Sequence, residues 1–391
     1  MDMGLESRYI VAALAAATTI IAIAAVTSPA ASAQDDPGHA DVQHALDAAV
    51  RAGTPGIVAE IHDRRGQWFG AAGSADTDTG RKRRPQDRFR IGSTTKAFTA
   101  TVVLQLAAER RLSLDDTVER WLPGLVHGNG NDGGKITIRQ LLNQTSGLFA
   151  YSNDPEFFAK GVGPAWLEHR YDSYTPEQLV QIAMAHPPLA GPGERFFYSN
   201  TNYILAAMII EKVTGRSYGE ELTQRITRPL DLTGTSLPGD PGIRGSHPVH
   251  YSTLFSQDPA PTIYDATEMN QSFAWSAGGI ISTTGDLRRF FGALLGGRLL
   301  PPAQQQELLT TVPTDGSNWI PNTRYGLGVF AQTLPCGVTV WGNGGATYGS
   351  WTYAMGSQDG AHLLTTNMNG DWSGLGPFTD VLTAEFCPAE S

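Results

Sequence analysis

Strand signals dominate both ends of the chain, whereas its middle shows apolar residues at helical spacing. Residues 56–73 alternate between apolar and polar around a turn-forming segment at 63–66, which predicts a β-hairpin. Towards the C-terminus, strands are predicted at 326–332, 338–342, 350–355 and 362–367. A final helix is predicted at 377–386.

The central helices complete the pattern. They are predicted at 97–107, 136–144, 201–213 and 286–296, with Gly215 as the C-cap of the third. Because strands at both ends enclose these helices, the order of elements predicts an α+β fold. In that fold an antiparallel sheet built from N- and C-terminal strands is flanked by helices, and a mainly helical region is inserted at roughly 110–270.

The first 33 residues carry the features of a secretory signal peptide. Residues 10–26 are apolar apart from two threonines, and 31–33 form a small-x-small cleavage site. The competing interpretation is an uncleaved anchor, since 17 apolar residues reach the lower limit of a membrane span. Both interpretations place the rest of the chain outside the cytoplasm. We expect cleavage, which leaves one secreted domain at 34–391 without stable membrane association.

Charge and cysteine content narrow the possible partners. The formal net charge of −10 argues against nucleic acid as a partner.

Cys336 and Cys387 form an even pair, which normally bridges in an exported protein. A catalytic thiol is the alternative, but no cysteine–histidine signature accompanies either residue. His247 and His250 have no matching acidic or cysteine partner, so we predict no metal ion and no cofactor.

Ser93 and Lys96 are the first candidate catalytic pair. They lie three residues apart at the start of a predicted helix, so both side chains share one face. A serine hydroxyl becomes a nucleophile when a nearby base takes its proton, and a lysine can do so when its pKa is lowered. Of the five lysines, Lys96 alone has a serine three residues earlier. The alternative is a helix with a serine N-cap and a surface lysine.

A Tyr-Ser-Asn motif occurs twice, at 151–153 and at 198–200. The first copy runs into Asp154-Pro155, which is typical of a loop. The second copy enters an apolar helix, and such a rigid setting suits a tyrosine that transfers a proton and an amide that orients a substrate. We therefore favour Tyr198 and Asn200 as functional residues.

With both motifs in place, the sequence resembles class C β-lactamases and their relatives. These relatives include secreted actinomycete D-alanyl-D-alanine carboxypeptidases, D-aminopeptidases and esterases. The resemblance covers most of the chain after residue 33, and the two cysteines fall where the carboxypeptidase branch has its disulfide. Five segments carry it: IGSTTK at 91–96, TSGL at 145–148, YSNTN at 198–202, WSAGG at 275–279 and YGLG at 325–328.

The resemblance implies acyl transfer in two steps. Ser93 would attack a carbonyl carbon, and the backbone N–H groups of Ser93 and Ala346 would stabilise the oxyanion. Lys96 and Tyr198 would share the roles of base and acid, and which of the two is the base stays open. Asn200 would hydrogen-bond the acyl side of a small-molecule or peptide substrate. Water, an amine or an alcohol would then release the acyl group.

The third motif of that family departs from its usual pattern. Where relatives have His-x-Gly or Lys-Thr-Gly, this chain has Asn343, Gly344 and Gly345, followed by Ala346, and all four are expected to line the substrate site. The resemblance places carboxylate-binding hydroxyls at 344 and 346 and an arginine at 330, which here are glycine, alanine and Phe330.

Two further positions bear on this substrate edge. Phe273 replaces a family tryptophan near the pocket and is expected to keep an aromatic wall there. Arg324 is the one nearby candidate for replacing the missing carboxylate anchor.

These features predict a secreted serine hydrolase that works through an acyl-enzyme and is similar to D-alanyl-D-alanine carboxypeptidases. Because the carboxylate anchors are missing, an esterase, a D-amino-acid amidase or a transacylase acting on a neutral substrate is the main alternative. A non-catalytic protein that binds peptidoglycan or β-lactams is the second. Intact Ser93, Lys96 and Tyr198 argue against that second alternative.

Overall fold

Strands from both ends of the chain form one sheet. The computed structural model describes residues 39–387, and the predicted signal peptide at 1–33 lies outside them. The strands are β1 Gly56–Asp63, β2 Gly66–Gly73, β3 Phe89–Arg90, β4 His127–Gly128, β5 Asn131–Asp132, β6 Tyr251–Ser252, β7 Tyr264–Asp265, β8 Ile281–Ser282, β9 Val312–Pro313, β10 Thr323–Tyr325, β11 Phe330–Thr333, β12 Thr339–Thr347, β13 Ser350–Gly356 and β14 Leu363–Met368.

The main sheet has eight strands in the order β2-β1-β14-β13-β12-β11-β10-β9. Each neighbouring pair is antiparallel, and the N-terminal hairpin β1–β2 pairs with the C-terminal strand β14. This arrangement confirms the α+β fold and the joining of N- and C-terminal strands predicted from the sequence. The remaining strands form three two-stranded pairs, β3–β8, β4–β5 and β6–β7.

Helices pack on both faces of the sheet. On one face α1 and α13 cover a core that includes residues of β1 and β13, and on the other face α2, α8 and α11 form the larger core. The helices are α1 Ala40–Arg51, α2 Thr95–Ala108, α3 Val118–Trp121, α4 Ile138–Leu142, α5 Pro155–Lys160, α6 Ala165–His169, α7 Pro176–Met184, α8 Asn200–Thr214, α9 Tyr218–Leu222, α10 Trp275–Gly278, α11 Thr284–Leu295, α12 Pro302–Leu309 and α13 Gly376–Phe386.

The long predicted helices match α2, α8, α11 and α13 to within a few residues. Gly215 ends α8 in the left-handed conformation, with φ of 73°, so its predicted role as C-cap is confirmed. Among residues 39–387, no helix has both the length and the apolar character needed to cross a membrane. The domain limits at 34–391 and the insertion at roughly 110–270 stay predictions.

The predicted strand at 326–332 is wrong in its first half. Residues 326–329 form the turn between β10 and β11, in which the Gly326 N–H donates to the Val329 carbonyl over 2.8 Å. Gly328 has φ of 80°, and a side chain there would lie 2.8 Å from the Lys96 carbonyl oxygen. The turn therefore packs against α2, a tertiary constraint that an alternating local pattern does not reveal.

The two cysteines are bridged. Cys336 follows β11 and Cys387 follows α13, and their Cα atoms lie 5.9 Å apart. The bridge closes a loop with a sequence separation of 51 residues. In the chain-entropy picture a loop of that size stabilises the fold by about 4 kcal/mol. The predicted disulfide thus fixes the C-terminal helix to the sheet.

Candidate active site

Ser93 lies at the entrance to the buried helix α2. It is the middle residue of a 3-10 turn, Gly92–Thr94, that leads directly into α2. Gly92 has φ of 51°, which is readily adopted only by glycine, and a side chain there would lie 2.8 Å from both the N and the O of Ala346. The sequence around Ser93 therefore permits a close approach between the serine turn and strand β12.

Ser93, Lys96 and Tyr198 converge as the two motifs predict. Lys96 Nζ lies 3.0 Å from Ser93 Oγ, and the Tyr198 hydroxyl donates to Ser93 Oγ over 2.7 Å. Lys96 Nζ also lies 2.8 Å from Asn200 Oδ1 and 2.7 Å from the Ala277 carbonyl oxygen. Residues 105 apart in the chain are thus brought into one hydrogen-bonded group.

Burial disfavours the charged form of both groups that flank Ser93. The Lys96 side chain is fully buried, and desolvation holds the pKa of its amine well below the usual 10.5. Desolvation also raises the pKa of the Tyr198 hydroxyl well above 10, although its hydrogen bond to Ser93 acts in the opposite direction. A neutral amine can donate to Asn200 and Ala277 and still direct its lone pair at Ser93. This arrangement suits Lys96 as a base and Tyr198 as an acid.

The segment at 145–148 anchors the start of α8, which carries Asn200. Ser146 Oγ donates to Asn202 Oδ1 over 2.6 Å, and the Ser199 N–H donates to Gln144 Oε1 over 2.9 Å. A side chain at Gly147 would lie 2.0 Å from the Ala190 carbonyl oxygen. Ser146 therefore holds the first turn of α8 in place, and Gly147 allows the chain to pass close to Ala190.

The first Tyr-Ser-Asn copy plays a different part from the second. The Tyr151 hydroxyl is buried, donates to the Phe273 carbonyl over 2.5 Å and is not among the described cleft residues. Ser152, however, accepts a hydrogen bond from Asn200 Nδ2 over 3.2 Å and lines the same cleft as Ser93, as does Asn153. Ser152 and Asn153 were not predicted as site residues, because a loop-forming sequence does not indicate which part of the fold the loop lies against.

Strand β12 passes directly over the serine turn. A side chain at Gly345 would lie 2.5 Å from the Ser93 backbone N, so glycine is needed there. The pairing of β11 with β12 ends at Gly342. Further along β12, the backbone N and O of Ala346 face Gly92. Backbone N–H groups of Ser93 and Ala346 are thus both available near the nucleophile, an arrangement that fits an oxyanion hole.

The cleft beside Ser93 combines hydrogen-bonding groups with aromatic and aliphatic walls. It has a volume of about 400 Å³, and no lysine, arginine, aspartate or glutamate is among its lining residues in the described part of the chain. Gly344 leaves room for the Tyr353 ring, since a side chain at 344 would lie 2.5 Å from Tyr353 Cε2. The lining residues are Ser93, Ala150, Ser152, Asn153, Tyr198, Asn200, Trp319, Ile320, Pro321, Gly344, Gly345, Ala346, Trp351, Tyr353, Gly374, Leu375 and Phe378.

Two predicted substrate-site residues lie elsewhere. Asn343 is buried, does not line the cleft, and donates from Nδ2 to the Gly328 carbonyl over 2.6 Å. Phe273 lines a separate apolar cavity that touches the cleft only through Ser152. Asn343 misses the cleft because β12 turns it towards the 326–329 turn.

The hypothesis that Arg324 replaces the carboxylate anchor also finds no geometric support. Arg324 Nε donates to Thr311 Oγ1 over 3.0 Å at the exposed end of the sheet, and it does not line the cleft. Phe330, at the position of the expected arginine, is buried in the core beneath α13.

Trp319 is a further wall residue that no motif indicated. Its ring stacks on the Tyr198 ring with a centroid distance of 4.4 Å and an interplanar angle of 18°. This contact shields Tyr198 from water and so contributes to the desolvation that raises the pKa of its hydroxyl.

Comparison with known families decides the identity of this arrangement. The family model named Beta-lactamase matches residues 40–375, which include Ser93, Lys96, Tyr198 and Asn200. The chain belongs to the beta-lactamase family. The resemblance inferred from the motifs is confirmed, and with it the serine hydrolase class of the protein.

Solved structures and curated relatives place the chain further within this family. It is 49% identical to a D-stereospecific amidohydrolase from a Streptomyces species, covering 89% of this chain and 98% of that one with a TM-score of 0.83. A D-amino acid amidase from Ochrobactrum anthropi SV3, complexed with L-phenylalanine amide, is 25% identical over 89% of this chain and 98% of that one, with a TM-score of 0.76.

Among curated relatives, Protein flp of Staphylococcus aureus (strain MRSA252) is 32% identical over 213 residues, 52% of this chain. The match covers only 40% of the length of that protein.

Proposed function

We propose that this beta-lactamase-family hydrolase cleaves uncharged amides or esters of D-amino acids through an acyl-enzyme on Ser93. The observation that carries this proposal is the cleft itself: its lining residues within 39–387 offer hydrogen-bond donors and aromatic rings but no cation for a free carboxylate. Similarity to a D-stereospecific amidohydrolase and to a D-amino acid amidase supports the D-aminoacyl substrate class. The carboxypeptidase activity implied by the resemblance is therefore the less favoured assignment.

Acylation follows from the hydrogen bonds around Ser93. Lys96 takes the Ser93 proton while Oγ attacks the substrate carbonyl carbon, and the N–H groups of Ser93 and Ala346 hold the oxyanion. Tyr198 donates its proton to the leaving amine as the C–N bond breaks. The ammonium of Lys96 returns a proton to Tyr198, which leaves an ester on Ser93, a free amine and both residues neutral.

Deacylation runs the same sequence with water in place of the leaving amine. Lys96 and Tyr198 together remove a proton from the attacking water, and Ser93 recovers its proton as the ester bond breaks. Asn200 is placed to orient the acyl side, because its Oδ1 is held by Lys96 and its Nδ2 by Ser152. An amine that replaced this water would give a new amide by the same steps.

A substrate panel tests this proposal. We expect turnover of D-phenylalanine amide and of a p-nitrophenyl acyl ester, and much slower turnover of L-phenylalanine amide and of a D-Ala-D-Ala peptide. Each missing charge-assisted contact to the free carboxylate costs about 1.5–3 kcal/mol, or roughly ten- to hundredfold in rate. Product formation is followed by chromatography, and the Ser93 adduct by intact mass.

The same panel can contradict the proposal. Preferred cleavage of the D-Ala-D-Ala peptide would restore the carboxypeptidase assignment. An adduct with fluorescent penicillin, without turnover of any substrate in the panel, would point to a binding protein.

We also propose that the protein acts outside the cytoplasm after loss of residues 1–33. The basis is the apolar segment at 10–26 and the small-residue site that follows it. Mass analysis of protein exported from a bacterial host should show a chain that begins at Gln34. A full-length chain retained in the membrane would favour the anchor interpretation.

A further inference from the structure

Four potential metal-binding side chains from distant parts of the chain lie together where strand β1 ends and its neighbour β14 begins. His39 directly precedes α1, Asp63 ends β1, His362 precedes β14, and Glu385 lies in the last turn of α13. The β1–β14 register pairs His62 with Leu363, which puts Asp63 and His362 at neighbouring positions on the two strands.

The polar atoms of this cluster point at one another. Glu385 Oε2 lies 2.8 Å from His39 Nδ1, and Glu385 Oε1 lies 2.6 Å from His362 Nε2. One ligand atom each from His39, Asp63 and Glu385 lies within 4.8 Å of the others. The side chains of His39 and Glu385 are both 3% exposed, so water reaches this carboxylate poorly.

We propose that this cluster is a structural site for a divalent transition metal, with zinc as the favoured ion. Two imidazole nitrogens and two carboxylate oxygens form a donor set that suits Zn²⁺. Zinc–ligand bonds of about 2.0–2.2 Å place the ligand atoms of a tetrahedral site about 3.4 Å apart. The spacings among His39, Asp63 and Glu385, from 2.8 Å to at most 4.8 Å, lie on either side of that value. His362 contacts this group through Glu385 and would have to turn towards the other two ligands.

The site is separate from the hydrolytic centre, and its role is to hold the first and last helices of the described chain, α1 and α13, together. None of the four residues lines the cleft beside Ser93. A metal there would join the N-terminal helix, the β1–β2 hairpin and the C-terminal helix. Glu385 is two residues from Cys387, so the metal and the disulfide would fix the same segment. No sequence motif indicates the cluster, because positions 39, 63, 362 and 385 have no ligand spacing in common.

The guanidinium of Arg65 is the cation with which a metal ion has to compete at this site. Its Nε donates to Asp63 Oδ2 over 2.7 Å, and its Nη2 lies 3.1 Å from His39 Nε2. The Arg65 side chain is half exposed, so it can turn into solvent when a metal binds. Removing this positive charge should therefore strengthen metal binding, a result that an ordinary ion-pair network would not give.

The test uses zinc and cobalt on the purified protein after treatment with a chelator. We expect one Zn²⁺ per chain by calorimetry, a higher melting temperature with Zn²⁺, and cobalt absorption bands typical of tetrahedral coordination. Glu385→Gln and His362→Ala should each weaken Zn²⁺ binding at least about tenfold, since each removes a ligand. Arg65→Ala should strengthen it, and His44→Ala, which changes an exposed histidine of α1, should have no effect.

Three results would overturn the proposal. They are the absence of saturable Zn²⁺ binding, an equal response of His44→Ala and His362→Ala, and weaker binding in Arg65→Ala. If Glu385→Gln fails to fold, the opposite signs expected for Arg65→Ala and His362→Ala still decide the question. Hydrolysis by Ser93 enters none of these readouts, so the outcome is independent of the proposed function.

Discussion

Ser93→Ala is expected to abolish the covalent adduct and to lower kcat/KM for D-phenylalanine amide by a factor on the order of 10⁶, the scale seen when a catalytic serine is removed. Lys96 and Tyr198 both contact the Ser93 Oγ, at 3.0 Å and 2.7 Å. Its loss leaves the backbone N–H groups at 93 and 346 in place, so the cleft should still bind substrate. Intact mass after incubation with a p-nitrophenyl ester measures the adduct directly.

Ser152→Ala is the matched control for this prediction. Ser152 is a second serine in the same cleft, but its hydroxyl accepts a hydrogen bond from the Asn200 amide. The amine of Lys96 lies against Ser93 instead. The variant should keep the adduct while turning over more slowly, because Asn200 loses one orienting contact. An adduct that persists in Ser93→Ala, or one that disappears in Ser152→Ala, would show that the nucleophile has been misassigned.

The residues of the catalytic group were predictable because each belongs to a local pattern. Ser93 and Lys96 share a helix face, and Tyr198 and Asn200 stand at the start of an apolar helix. The local sequence also predicted α2, α8 and the β1–β2 hairpin. In the structure α2 and α8 are buried along most of their length, and β1 along its first six residues.

Residues whose roles depend on tertiary contacts were beyond the sequence. Asn343 sits in the third motif, yet β12 directs its amide to the Gly328 carbonyl and away from the cleft. Trp319 and Ser152 lie in irregular segments, and only the packed structure places them against Tyr198 and Asn200. The turn at 326–329 was missed for the same reason, because its conformation is set by packing on α2.

Lys96→Arg is expected to lower kcat/KM by about 10²–10⁴, the usual contribution of a general base. A guanidinium stays protonated at all working pH values and cannot accept the Ser93 proton. Lys96→Met is the matched variant: it has similar length, introduces no buried charge, and should lose activity to a similar extent while remaining folded. Circular dichroism and melting curves separate loss of the base from loss of the fold.

The acidic limb of the pH–activity profile shows which residue is the base. Only neutral Lys96 can act, so activity should rise with pH through its lowered pKa and reach a plateau well below pH 10.5. Because the pKa of Tyr198 is raised, the alkaline decline should begin above pH 10. Lys96→Met should lose the acidic limb, whereas Tyr198→Phe should keep it with a lower plateau. If the acidic limb survived in Lys96→Met and vanished in Tyr198→Phe, the base would be Tyr198, and the neutral lysine would serve only to position Ser93.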